Sequence, residues 1–136
     1  MTYAVSAALQ SAIYSHLVAD APLTALVGSA IYDNAPSGSL PDTYVSLGPE
    51  DVRERSDITG YGALHIITIS VISEAAGFDT AKQVGAAISD ALQGAALTLT
   101  RGALCYINFD RATARRVGTG ETRRIDLRFS ARVEDS

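Results

Sequence analysis

Apolar residues at Val5, Leu9, Ile13 and Leu17, with Ala8 and Ala12 beside them, open the chain in a four-residue rhythm. That spacing keeps one stripe on one helix face and predicts an amphipathic helix over residues 3–18. Ala21-Pro22 suits a helix start, since proline at the first helical position gives up no needed N–H, and Gly28 follows Leu26-Val27 as a stop after one or two turns. Ala30-Ile31-Tyr32 reads as a short strand. Asp33 to Asp42, with an Asn, two Pro, two Ser and a Gly, reads as a loop. Thr43 to Leu47 is a second short strand stopped by Gly48-Pro49, and the charged run from Glu50 to Asp57 has no apolar period, which predicts an exposed loop or an irregular strand extension.

From Gly62 to Ser73, Ile67, Ile69 and Val71 fall on one strand face and Leu64, Ile66 and Ile72 on the other. Apolar residues on both faces predict a central strand covered on both sides. Gly77 then precedes Thr80 and Gln83, which have capping-box spacing, and Ala81, Val84, Ile88, Ala91 and Leu92 recur at helical spacing before Gly94. Leu104 to Val117 reads as a long strand and Gly118-Thr119-Gly120-Glu121 as a turn. Ile125, Leu127, Phe129, Ala131 and Val133 then alternate with Asp126, Arg128, Ser130, Arg132 and Glu134, the cleanest period-two signal in the chain. The order α, short α, β, β, β, α, β, β predicts a single α+β domain over residues 1–136. Its core would be an antiparallel sheet of about four to five strands with two main helices packed on one face.

Composition narrows the function classes. A chain of 136 residues buries about two-thirds of its unfolded surface, so folding needs no disulfide or metal. The lone Cys105 cannot form an internal disulfide and suits a reducing compartment; among Ala103, Leu104, Tyr106 and Ile107 it reads as a small buried side chain. The apolar run over 64–72 is about half the roughly 20 residues of a membrane span, and no signal peptide or lipidation motif is visible. The expectation is a protein of the cytoplasm that made it.

Charge is polarised along the sequence. Residues 1–100 carry three basic side chains against ten acidic ones, and residues 101–136 carry eight arginines against five acids. With a net charge of −4 the chain is a poor candidate for gripping duplex DNA, which needs concentrated positive charge. His16 lies beside the first helix's apolar stripe and His65 within the central strand, neither with a second His, Cys or Asp at metal-ligand spacing, so both read as structural. Gly60-Tyr61-Gly62 and Gly118-Thr119-Gly120 lack the third glycine and the strand-to-helix context of a phosphate cradle. No catalytic set, cofactor site or metal site is predicted. What remains is a charged stretch from Gly48 to Gly60 and a long arginine-rich hairpin, both larger than a two-layer core needs. Glu50, Asp51, Arg53, Arg55, Arg115, Arg116, Arg123 and Arg124 are therefore the candidate interface residues.

Leu26-Val27-Gly28, Ile31-Tyr32-Asp33, Ala35-Pro36, Leu40-Pro41 and Tyr44-Val45-Ser46-Leu47-Gly48-Pro49-Glu50 follow one another in an order that resembles the tail-completion or tail-terminator proteins of long-tailed phages and gene transfer agents. The resemblance runs over nearly the whole chain, through the Ala-rich helix at Lys82 to Leu92 and the closing Phe129-Ser130-Ala131-Arg132-Val133; Asp42-Thr43, separating Pro41 from Tyr44, is a departure. It implies a non-enzymatic α+β subunit that assembles with itself as a ring, commonly a hexamer, at the head-proximal end of the tail tube. Tail-tube protein and a head–tail connector or stopper would be its partners, with DNA passing through the lumen without specific binding and no membrane involved. Assembly would take place in the bacterial cytoplasm, and the subunit would end at the tail–head junction. A different head–tail connector ring or a tail-tube protein is the alternative within the same structural class. An enzyme or small-ligand module would need a concave pocket with convergent polar groups.

Overall fold

A computed structural model describes residues 3–33, 38–54, 62–118 and 122–135. Three helices and five strands follow in the expected order: α1 (Ser6–Val18), α2 (Ala21–Val27), β1 (Ile31–Tyr32), β2 (Thr43–Glu54), β3 (Gly62–Ser73), α3 (Asp79–Leu92), β4 (Ala103–Val117) and β5 (Thr122–Glu134). The strands form one sheet in the order β1-β2-β3-β5-β4. β2, β3, β5 and β4 pair antiparallel, while the two-residue β1 runs parallel to β2 through Ile31–Val45 and Tyr32–Ser46. The fold is thus α+β on a mostly antiparallel sheet.

Helix α1 turns Leu9, Ile13 and Leu17 inward, as the four-residue rhythm requires, with Val5 buried just before its first turn. The Asp20 carboxylate caps α2 by accepting from the Leu23 N–H at 3.0 Å. Gly28 ends α2 at a φ of 60°, which a side chain would resist. The expected capping box of α3 is not formed. Phe78 holds the N-cap position with no side-chain cap bond, and Gln83 donates instead to Asp79 at 2.8 Å, one helical turn back.

The helices share one side of the sheet: α3 packs over β3, β4 and β5, and α1 and α2 flank it and reach β1 and β2. Phe129, Leu9, Ile13, Leu17, Ile69, Ile88 and Leu92 are among the fully buried side chains that join in one apolar cluster between these layers. Burial of each such group stabilises the fold by about 1.5–3 kcal/mol.

On the opposite side no helix covers the sheet among the described residues. Leu64, Ile66 and Ile72 of β3 are half-buried there, which corrects the expectation of a strand covered on both sides. Leu64 lies opposite Arg132 and Ile72 opposite Arg124 on β5. Arginine stems shade apolar neighbours while their heads stay in water, so these positions hold apolar residues without a second layer.

Strand geometry decides two further expectations, bearing out the irregular strand extension after Gly48-Pro49 and overturning a buried Cys105. β2 does not stop at Gly48-Pro49 but runs on to Glu54 through a bulge: Leu47 faces Ile69 and Glu50 faces Ile67, so Gly48 and Pro49 share the one position opposite Thr68. A Cβ on Gly48 would approach the Thr68 carbonyl oxygen to 3.1 Å, hence the glycine. Cys105, expected inside, is exposed. It lies on β4, the terminal strand of the sheet, where the register shifts between Leu104 and Tyr106 and only Ile107 is buried. The remainder of the charged stretch from residue 55 to 61, Arg55 included, and the expected turn at residues 119–121 lie outside the described residues.

Candidate assembly site

The bulge in β2 decides where its acids point. Past it, Glu50 and Val52 stand opposite Ile67 and His65, which are buried on the helix side, whereas Asp51 and Arg53 stand opposite the half-buried Ile66 and Leu64. Glu50 therefore turns under the start of α1. Its Oε1 accepts from the Tyr3 hydroxyl at 2.7 Å and from the Ser6 hydroxyl, and its Oε2 lies 3.3 Å from Nδ1 of the fully buried His65. Partial burial opposes ionisation of Glu50, but the donors Ser6, Tyr3 and His65 outweigh it and hold the carboxyl below the usual glutamate range. Every Glu50 oxygen is thus occupied, and the group braces α1 against β2 rather than offering a base. Period-two reading of the sequence missed this cluster, since Glu50 looked like one more exposed acid of a charged run. The one visible signal was Gly48-Pro49, a pair that suits a bulge.

Asp51 and Arg53 remain outside, pairing with each other at 2.9 Å with both side chains 63% exposed. Such a pair contributes little to stability. An open depression beside Glu50, lined by Tyr3, Gln10, Tyr14 and Asp33, has its polar groups turned on one another: Gln10 donates to Asp33, and Tyr3 to Glu50.

The arginines of the hairpin lie two strands away on β5 and three away on β4. Arg123 faces the helix side, with its guanidinium 5.8 Å from the Phe78 ring and Nη1 donating to the Ala75 carbonyl at 3.5 Å. Arg124 faces the open side and donates to Asp126 at 2.9 Å and to the Ser70 hydroxyl at 3.1 Å. Ser70 in turn donates to Asp126 at 2.7 Å, and Arg115 stands 3.6 Å from the same carboxylate. Partial burial works against ionised Asp126; Ser70, Arg124 and Arg115 outweigh it and hold the carboxyl low. Arg128 pairs with Asp110 at 2.7 Å and Arg101 with Asp135 at 2.9 Å. Arg116 forms no ion pair among the described residues.

The sequence-predicted residues therefore form two groups rather than one site. Glu50, Asp51 and Arg53 lie toward one edge of the sheet, Arg115, Arg116, Arg123 and Arg124 toward the other, and Arg55 lies outside the described residues. His16 has the structural role expected of it, donating from Nε2 to the Ala91 carbonyl at 2.8 Å and so joining α1 to the end of α3. Among the described residues no three His, Cys, Asp or Glu side chains gather as metal ligands, and no helix is long and apolar enough to cross a membrane.

The chain matches the family model described as tail completion protein gp17 over residues 11–134. No curated protein matches it. Among solved structures, a chain from the virion of a native gene transfer agent particle is 61% identical, with a TM-score of 0.93 and the likeness covering 98% of this chain and 99% of that chain.

Proposed function

This chain belongs to the tail completion protein gp17 family, and from that premise we propose that it closes into a ring on the head-proximal end of a tail tube, ends tube growth and joins the tail to the head connector. The coarser statement needs no proposal: it is a structural protein of a phage-type tail. The observation that carries the finer reading is the near-complete likeness to a subunit of a gene transfer agent virion, in a chain whose polar clusters are built for bracing rather than reaction. Six copies, tail-tube protein and a connector or stopper protein are the partners of this reading. Assembly belongs to the bacterial cytoplasm, and the finished position is the tail–head junction.

A lumen subunit has to let DNA slide. Phosphate binding scales with the number of cations offered, and on the open side Arg124 and Arg128 are each held by an aspartate of the same chain. That arrangement supports passage of DNA without a grip. The charged residues at Glu50, Asp51, Arg53 and Arg55 and at Arg115, Arg116, Arg123 and Arg124 are the proposed contacts to neighbouring subunits, tube or connector.

Light scattering across concentration and salt tests the reading. A closed species near six subunits supports a terminator ring. Unlimited growth assigns the chain to the tube-forming alternative, and a chain that stays monomeric even with tail-tube protein present overturns the ring.

A further inference from the structure

We propose that the outer half of β4 accepts the acidic end of β2 from a second copy of this chain, so that the sheets of neighbouring copies continue into one another. The inference rests on the ring reading above and names the surface through which that ring closes.

Among the described residues, each edge of the sheet is open over a defined length. On the β4 side, the Gly94 N–H donates to the Ile107 carbonyl at 2.8 Å, and the Phe109 N–H donates to the Gln93 side chain at 2.7 Å. The turn after α3 thus closes the outer edge of β4 as far as Phe109. From Arg111 to Val117 no described residue bonds that edge. On the β2 side, β1 pairs only with Val45 and Ser46, and no described strand lies outside Glu50 to Arg53. Open edges template further strands unless something covers them.

The two edges fit in direction, phase, shape and charge. β2 and β4 are separated by three antiparallel pairings, so they run in opposite directions. A rotation about an axis along the strands therefore brings β2 of one copy antiparallel to β4 of the next. The contact joins unlike surfaces, as ring closure requires. The phase follows from the bonds already made. The outward N–H of Val45 donates to Ala30, so counting past the bulge makes Glu50, Val52 and Glu54 the outward residues of β2. The outward groups of Ile107 and Phe109, counted past the register shift before Arg111, make Ala112, Ala114 and Arg116 the outward residues of β4. Val52 opposite Ala114 satisfies both edges.

This register brings complementary side chains together on both sides of the sheet. On the helix side, Val52 enters an apolar groove of about 270 Å³ between α3 and the hairpin, lined by Lys82, Ala86, Ala112, Ala114, Ile125 and Leu127. On the open side, Asp51 lands opposite Arg115, whose contact to its own Asp126 is a loose 3.6 Å. Main-chain bonds give the affinity of such strand addition, and the flanking pockets and charges give its specificity.

The test pairs Asp51→Cys with Arg115→Cys in a Cys105→Ser background of the full chain, oxidised both at high concentration and within assembled particles. The expected result is a ladder of covalent multimers that neither single variant forms, and that Asp51→Cys with Thr113→Cys, two residues off in register on the same face, does not form. Asp51→Arg and Arg115→Asp each weaken self-association about tenfold or more, and the two reversals together restore it. A closed oligomer in light scattering without the cross-link overturns the edge pairing and leaves the ring standing. No oligomer, alone or with tail-tube protein, overturns both. Strand addition from the tube or connector instead appears as a cross-link to that protein from Arg115→Cys alone, and it too overturns the self-pairing.

Discussion

β4 and β5 are two arms of one hairpin, paired from Ala103–Glu134 to Val117–Thr122, yet they live in different surroundings. β5 buries Ile125, Leu127, Phe129, Ala131 and Val133 in turn and half-buries the residues between them. β4 buries Ile107 alone. Strand length and pairing are shared, so the difference comes from position: β5 lies between two strands and under α3, while β4 ends the sheet. The pair teaches that a strand can be specified by its backbone partners while its side chains remain available for contacts outside the chain.

Core truncations give the largest expected break between the two arms. Phe129→Ala should cost about 3–5 kcal/mol in urea unfolding. Phe109→Ala, at its edge-to-face partner 5.9 Å away and 42% exposed, should cost no more than about 1.5 kcal/mol. Equal losses would show that β4 is as deeply built into the core as β5. Next in size, Ile107→Ala should cost about 2–4 kcal/mol and mark the one β4 position that behaves like β5, with Tyr106→Ala within about 0.5 kcal/mol.

Glu50 extends the comparison to the opposite side of the sheet, where β2 is braced by α1 as β4 is not. Glu50→Gln should destabilise by about 1–3 kcal/mol at neutral pH through its three donors. Because the folded-state pKa is lowered, the ionised carboxylate stabilises the fold above the unfolded value of about 4.3, and this stabilisation fades as pH falls through the lower folded value. Unfolding midpoints measured from pH 7 down to pH 2 should therefore drop steeply in the wild type and less in Glu50→Gln; parallel curves would remove Glu50 from the brace. The smallest effect on stability is expected from Arg116→Ala, within about 0.5 kcal/mol by thermal melting, and a larger loss would mean that the β4 arginines support the fold itself.

The elements that period alone determines were legible in the sequence: α1 from its four-residue rhythm, β3 to its ends, and β5 from strict alternation. Three features were not. The extension of β2 was left open between a loop and an irregular strand because Gly48-Pro49 reads as a stop, and the pairing with β3 decides for the strand. Cys105 was placed inside because its neighbours are apolar, although burial on β4 depends on which strand ends the sheet, a property of topology rather than of local sequence. The cap of α3 was read from Thr80 and Gln83, yet Gln83 turned to the nearer Asp79. The eight candidate interface residues were chosen for charge, and charge alone did not distinguish Arg123, committed to Phe78 and Ala75, from Arg116.

The extra residue at Gly48-Pro49 sets the parity of everything after it in β2. Loss of a single codon there would close the bulge: the remaining residue would stand alone opposite Thr68, and Glu50 would still face Ile67. Beyond the bulge each residue of β2 has its own partner on β3, so a one-residue deletion at positions 51 to 53 moves every later side chain to the other face. In a lineage of related chains, the loss of one residue between Leu47 and Glu50 should accordingly occur more often than the loss of one between Glu50 and Glu54.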